Sequence, residues 1–258
     1  MNLKNYLKRI PGLVKLYRFL RAYLPDTGNH GFHGDRVFQT LFCELISSLP
    51  ITSFVETGTY LGDSTCYVAS RYNKLQVFSC EINDEFFKQS KHRLKRFRNV
   101  ELHKAYSQDF IRKLGEDKRL GNLPLFFLDA HWYDYWPLEY EIRAINILPC
   151  AIVIIDDFEV PGRPDFGFDV GGGGSPDISG KTVKNSRKCN LYLIRPQMAL
   201  GKTYNALFPY YNMKEAFPEG EAGTLRGHIV IFQNLKDRFE ALKQRDFISQ
   251  HYKEFEIL

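Results

Sequence analysis

Glu56-Thr57-Gly58-Thr59-Tyr60-Leu61-Gly62 follows an apolar run at 51–55, and a second apolar run at 75–80 ends on a lone acidic residue, Glu81. A strand that ends in a carboxylate and turns through glycine into a helix lets a nucleotide-like ligand come close to the backbone. A second carboxylate, one β-α-β unit further on, stands where such folds hold ribose hydroxyls. Together these point to an adenosine-containing molecule. Two later segments bear on chemistry: Phe126-Phe127-Leu128-Asp129-Ala130-His131 and Ile154-Ile155-Asp156-Asp157-Phe158.

Outward from that stretch the pattern alternates regularly. Strands are expected at 51–55, 75–80, 99–104, 124–128 and 151–155, with helices at 62–72, 83–97, near 107–114 and at 136–147. Short β-rich apolar runs between helical patterns indicate a parallel sheet with helices on both faces. A helix over 36–49 leads into the first strand. Between 159 and 188 periodicity fails, and the glycines and prolines there read as a lid-like loop. A helix near 189–201, an antiparallel pair at 206–211 and 227–233, and one amphipathic helix over 235–250 complete the chain.

At 258 residues the chain suits one α/β domain, 36–258, preceded by an arm and loop at 1–35. Its net charge is +5, but Lys4, Lys8, Arg9, Lys15, Arg18 and Arg21 all precede the first acidic residue, Asp26. Taking those six away leaves a body of −1, which disfavours nucleic acid as a ligand. Residues 1–25 read as a basic amphipathic helix that either packs on the body or a second subunit, giving a homo-oligomer, or touches an anionic membrane face. Five scattered cysteines without a C-x-x-C pair fit a reducing cytoplasm. No apolar run reaches the ~18 residues that span a bilayer. In the turn-rich loop 26–35, His30 and His33 offer ligand contacts, although loop histidines beside glycines are more often simply solvated.

The acidic and polar signals share a location. Glu56, Glu81, Ser107, Asp129 and Asp156-Asp157 each follow a strand, so all lie on the carboxyl rim where open parallel sheets collect ligands. Carboxylates at the ends of neighbouring strands, about 4.8 Å apart, repel each other unless protonated, solvated or bridged by a cation. Oxygen ligands of this kind suit Mg²⁺. The bland alternative is that one aspartate of the pair caps a turn while its neighbour points to the opposite face.

From about Arg36 to Gln233 the chain resembles a class I S-adenosylmethionine-dependent methyltransferase. Its D-x-H after strand four and D-D after strand five resemble the branch of macrocin-type sugar O-methyltransferases and cephalosporin-hydroxylase-like proteins. The resemblance implies a Rossmann-like methyltransferase fold: a mostly parallel seven-stranded sheet, an antiparallel last strand and helices on both faces. It implies that Glu56, Gly58, Thr59, Gly62 and Ser64 line the methionine and ribose portion of the cofactor, with Glu81 on the ribose diol, Ser107 near the adenine and Asp129 beside them. The sequence departs from the family at Tyr60, where a glycine is commoner, and at Ala105-Tyr106-Ser107, where the family often has G-D-S.

The resemblance further implies that Asp129, Asp156 and Asp157 hold a divalent cation against two vicinal hydroxyls and lower the pKa of the one methylated. His131 suits the general base, or else is a structural histidine bonded to a backbone carbonyl. Trp132, Tyr133, Tyr135 and Trp136 offer flat faces for a sugar ring. The expected function is metal-assisted O-methylation of a saccharide or glycosylated metabolite, with a small-molecule or glycan acceptor. An NAD(P)-dependent oxidoreductase is the competing enzyme, weakened by the lack of G-x-G-x-x-G. A non-catalytic adenosyl-binding scaffold tethered by the basic arm is the competing non-enzyme.

Overall fold

The computed structural model of the chain describes residues 30–130, 136–171, 187–218 and 224–257. After a 3-10 turn at Gly31–Gly34 come α1 (Arg36–Ser48), β1 (Ser53–Thr57), α2 (Asp63–Arg71), β2 (Gln76–Glu81), α3 (Asp84–Leu94) and β3 (Val100–Lys104). The chain continues through α4 (Ser107–Glu116), β4 (Pro124–Leu128), α5 (Leu138–Asn146) and β5 (Ala151–Ile155). A two-stranded ribbon, β6 (Val170–Gly171) with β7 (Arg187–Lys188), precedes α6 (Leu191–Ile194) and β8 (Tyr204–Pro209). The end is built from α7 (Met213–Ala216), β9 (Ile229–Gln233), α8 (Lys236–Lys243), α9 (Asp246–His251) and β10 (Tyr252–Phe255).

The main sheet runs β3-β2-β1-β4-β5-β9-β8-β10. β1 to β5 pair in parallel, whereas β9, β8 and β10 each join antiparallel to their neighbour. The fold is therefore α/β and Rossmann-like, with a mostly parallel core, antiparallel terminal strands and helices on both faces. β1, β4, β5 and β9 are buried along their whole length, as strands covered on both faces must be. Register then sets the rim. Thr57 pairs with Cys80 and with Leu128, and Leu128 with Ile155, so β1, β2, β4 and β5 end nearly level.

Local chemistry starts the helices where the sequence suggests. Asn83 accepts hydrogen bonds from the amides of Glu85 and Phe86, with two acidic residues in the first turn of α3 and three basic ones in its last. Asp35 caps α1 through the amide of Phe38.

Two expected helices differ. In place of a helix at 189–201, α6 is followed by a 3-10 turn, Arg195–Gln197, because Pro196 has no amide hydrogen to continue an α-helix. The helix expected at 235–250 is two, parted at Arg245 in an extended conformation (ψ 136°). The chain then adds β10 as an eighth strand, whose four residues are too few to show a period of two. No helix among the described residues is long and apolar enough to cross a membrane. The basic arm, 1–25, lies outside the described residues.

Candidate functional site

The strand order reverses between β1 and β4, and there the glycine turn is pressed against its neighbour. Gly58 has φ +82°, and a Cβ on it would stand 2.4 Å from the carbonyl oxygen of Asp129. No other residue combines that conformation with that clearance. The amides of Gly58 and Thr59 donate to the Cys80 carbonyl, and the amide of Asp129 to that of Thr57. Glu81 ties the turn to β2: one carboxylate oxygen accepts from the Tyr60 amide at 2.8 Å, the other from the Asn83 amide at 2.7 Å. Arg93 of α3 reaches back to the Leu61 carbonyl and to Asp63.

Glu56 lies beneath this turn and is 2% exposed. Its carboxylate accepts hydrogen bonds from the hydroxyls of Thr65 and Ser79, and Ser79 also meets Thr59 at 2.6 Å. Burial raises its pKa to about 7 against the pull of those two hydroxyls. Gly62 starts α2 in a left-handed conformation, and the Ser64 hydroxyl accepts from the Phe32 amide.

Beside the turn is a mostly apolar cavity of about 430 Å³, walled by Gly58, Glu81, Ile82, Tyr106, Ser107 and Ala130 among others. The Ser107 hydroxyl is buried there without a hydrogen-bond partner. A largely apolar hollow with a few fixed polar groups is the usual form of a small-molecule site.

The second part of the rim is ionic. Asp156 is wholly buried; one of its oxygens accepts a hydrogen bond from His33 Nε2 at 2.6 Å, and the other, Oδ1, is buried with no partner. Asp157, at φ +52°, is bonded by Arg226, whose other arm holds Asp169. His33, Asp156 and Asp157 each offer a ligand atom, all within 4.8 Å of one another. Asp129, half-buried at the end of β4, is not within that spread, although its charge reaches His33. Burial pulls the His33 imidazole down, but the charge and hydrogen bond of Asp156 outweigh it and raise the pKa to about 10. Such a donor set, with one carboxylate oxygen buried and unpaired, fits a divalent cation.

His33 keeps a solvent-exposed side chain, 41% accessible, but gains a buried partner in Asp156 that the sequence did not reveal. The turn carrying His33 is anchored by Phe32, which is 1% exposed and packed among Phe38, Phe42, Tyr67 and Phe127. Gln39 donates to the Gly31 carbonyl, and Asp35 accepts from Tyr211. Phe32 and His33 both have positive φ, a conformation non-glycine residues hold when their surroundings impose it. The signal in the sequence was the flanking pair of glycines and the capping Asp35.

Of the other predicted residues, His131, Trp132, Tyr133 and Tyr135 lie outside the described residues, and Trp136 is half-buried beside the rim. The lid-like loop is packed down where it is described: Phe166 is buried, Gly167 pairs with Leu225 and Gly227, and Arg163 holds Asp165 and the Tyr211 carbonyl. Residues 172–186 are outside the described range.

No family model and no curated protein matches the chain. Among solved structures it is similar to cofactor-bound Rv0187 from MTB, at 18% identity and a TM-score of 0.48, over 87% of this chain and 90% of that one. It is similar to the O-methyltransferase from Bacillus cereus in complex with SAH, at 17% identity and 0.48, over 84% and 87%. It is also similar to spermidine synthase from Thermotoga maritima, at 11% identity and 0.46, over 83% and 66%.

Proposed function

We propose that this chain is an S-adenosylmethionine-dependent O-methyltransferase that modifies a hydroxyl of a saccharide or glycosylated metabolite with the help of a divalent cation. The observation that carries the reading is the cavity at the strand-order reversal, with the backbone of Gly58 on one wall and the Glu81 carboxylate on another. Glu81 accepts hydrogen bonds from the ribose diol, while the unpaired Ser107 hydroxyl supplies the polar contact for the adenine edge. Glu56, Thr59, Gly62 and Ser64 support the methionine portion through the turn that they brace or begin.

The acceptor hydroxyl comes to the ionic half of the rim, beside Asp129. Asp156 and Asp157 would hold the cation, with Asp129 outside their cluster and acting on it through its charge; once bound, the ion would lower the pKa of the hydroxyl to be methylated. His131 takes the proton as the methyl group moves. Further acceleration comes from holding the methyl carbon and the acceptor oxygen in line at close range. The loop 163–169, tied to Asp157 through Asp169 and Arg226, and the half-buried Trp136 border the acceptor.

The test is transfer of labelled methyl from S-adenosylmethionine to a panel of nucleotide sugars and glycans. Label in a hydroxyl-bearing saccharide, lost in Asp129→Asn, is the expected result. Transfer to nitrogen or carbon acceptors, or none to any acceptor despite cofactor binding, refutes O-methylation of saccharides.

A further inference from the structure

We propose that His33 is a ligand in the cation site, and that its nitrogen makes the site one for a transition-metal dication of the Mn²⁺, Co²⁺ or Zn²⁺ class in preference to Mg²⁺. The inference deepens the functional reading above and rests on it for the role of the ion, but not for its binding. Three observations combine. His33, Asp156 and Asp157 present ligand atoms within 4.8 Å of one another. Asp156 is wholly buried, yet its Oδ1 has no hydrogen-bond partner. A buried carboxylate oxygen left unpaired costs free energy that a bound cation recovers.

The third observation concerns support. Ligating carboxylates and histidines are held by further hydrogen bonds, and Arg226 holds Asp157 in this way through one of its oxygens. The His33 backbone is fixed from both sides, by Phe32 in the core and by Asp35, which caps α1 and accepts from Tyr211. The imidazole itself has room to adjust, its side chain being 41% exposed. Adjacent ligands about 2.1 Å from an octahedral ion stand roughly 3.0 Å apart. The 2.6 Å between His33 and Asp156 therefore has to open by a few tenths of an ångström, and the proton that Nε2 shares with Asp156 leaves to solvent as the metal takes its place.

The mixture of donors decides the ion. Mg²⁺ favours oxygen and keeps much of its water, whereas imidazole suits first-row transition metals. Arg226 also offsets one of the two carboxylate charges, and a hard ion bound mainly by charge loses most from that.

The test uses the full chain without a histidine tag, freed of metal with EDTA. Co²⁺ is titrated by visible absorption, and Mn²⁺, Zn²⁺ and Mg²⁺ by calorimetry. The wild type is expected to bind one Co²⁺ with a gain in visible absorption and to bind Mn²⁺ more tightly than Mg²⁺. His33→Ala should weaken Co²⁺ and Mn²⁺ by at least about tenfold and Mg²⁺ by less than about twofold, while His103→Ala, on β3, behaves as wild type. His33→Gln, with melting curves for every variant, separates ligand loss from misfolding. Equal Co²⁺ binding by folded His33→Ala, a preference for Mg²⁺, or no metal binding overturns the proposal. Calorimetry with S-adenosylmethionine on the same metal-free protein keeps the two readings apart. Cofactor binding with a preference for Mg²⁺ removes this inference alone, cofactor binding without any metal also removes the cation from the functional reading, and metal binding without cofactor binding removes the methyltransferase reading alone.

Discussion

Glu56→Gln should stabilise the protein, by an amount that depends on pH. Glu56 is 2% exposed, and its pKa is raised from 4.5 to about 7, first by burial and then by the charges of Asp63 and Glu81, against the hydrogen bonds of Ser79 and Thr65. The folded state thus holds the proton more tightly than the unfolded chain. As pH rises from 4.5 towards 7 the unfolded state ionises first, so stability falls through that window and levels off above it. At 1.36 kcal/mol per pH unit, the gap corresponds to about 3 kcal/mol. A glutamine is neutral at every pH, and its carbonyl can accept from Thr65 and Ser79 as the acid does. Urea denaturation at pH 5, 6, 7 and 8 should show the variant ahead by about 2–3 kcal/mol at pH 8 and by about 1 kcal/mol at pH 5. A difference that is constant with pH, or that grows towards acid, would refute the assignment of Glu56 as a buried, reluctantly ionised brace.

Two further substitutions probe the rim. Gly58→Ala places a methyl group 2.4 Å from the Asp129 carbonyl in a left-handed conformation. It should cost at least about 2 kcal/mol by the same denaturation assay, and wild-type stability would show that the two loops do not meet. Arg226→Met removes the guanidinium from Asp157 and Asp169. A loss of about 2–3 kcal/mol is expected, and an unchanged midpoint would mean that the pair is only a surface contact.

The sheet was legible because its signals are local and repeated. The runs at 124–128 and 151–155 are apolar at every position, and helices covering both faces require that of a central strand. Gly58 and Glu81 could be read for the same reason: each terminates a strand in a way that few alternatives explain. His33 could not. It precedes Asp156 by 123 residues, and the contact depends on Phe32 entering the core and forcing two left-handed residues in succession. A pattern of periods two and 3.6 carries no information about such a turn. Asp157 shows the same limit from the other side. Its partner Arg226 is 69 residues away, so the sequence displays the carboxylate pair but hides the guanidinium that offsets half of its charge. β10 was missed because a four-residue edge strand directly after a helix leaves no alternation to count.

Calorimetry of the wild-type chain with S-adenosylhomocysteine and, separately, with NAD tests the central claim most directly. One molecule of S-adenosylhomocysteine per chain is predicted, weakened at least about tenfold in Glu81→Gln through loss of a charged acceptor for the ribose hydroxyls, with no heat from NAD. Binding of NAD in place of S-adenosylhomocysteine would contradict the account.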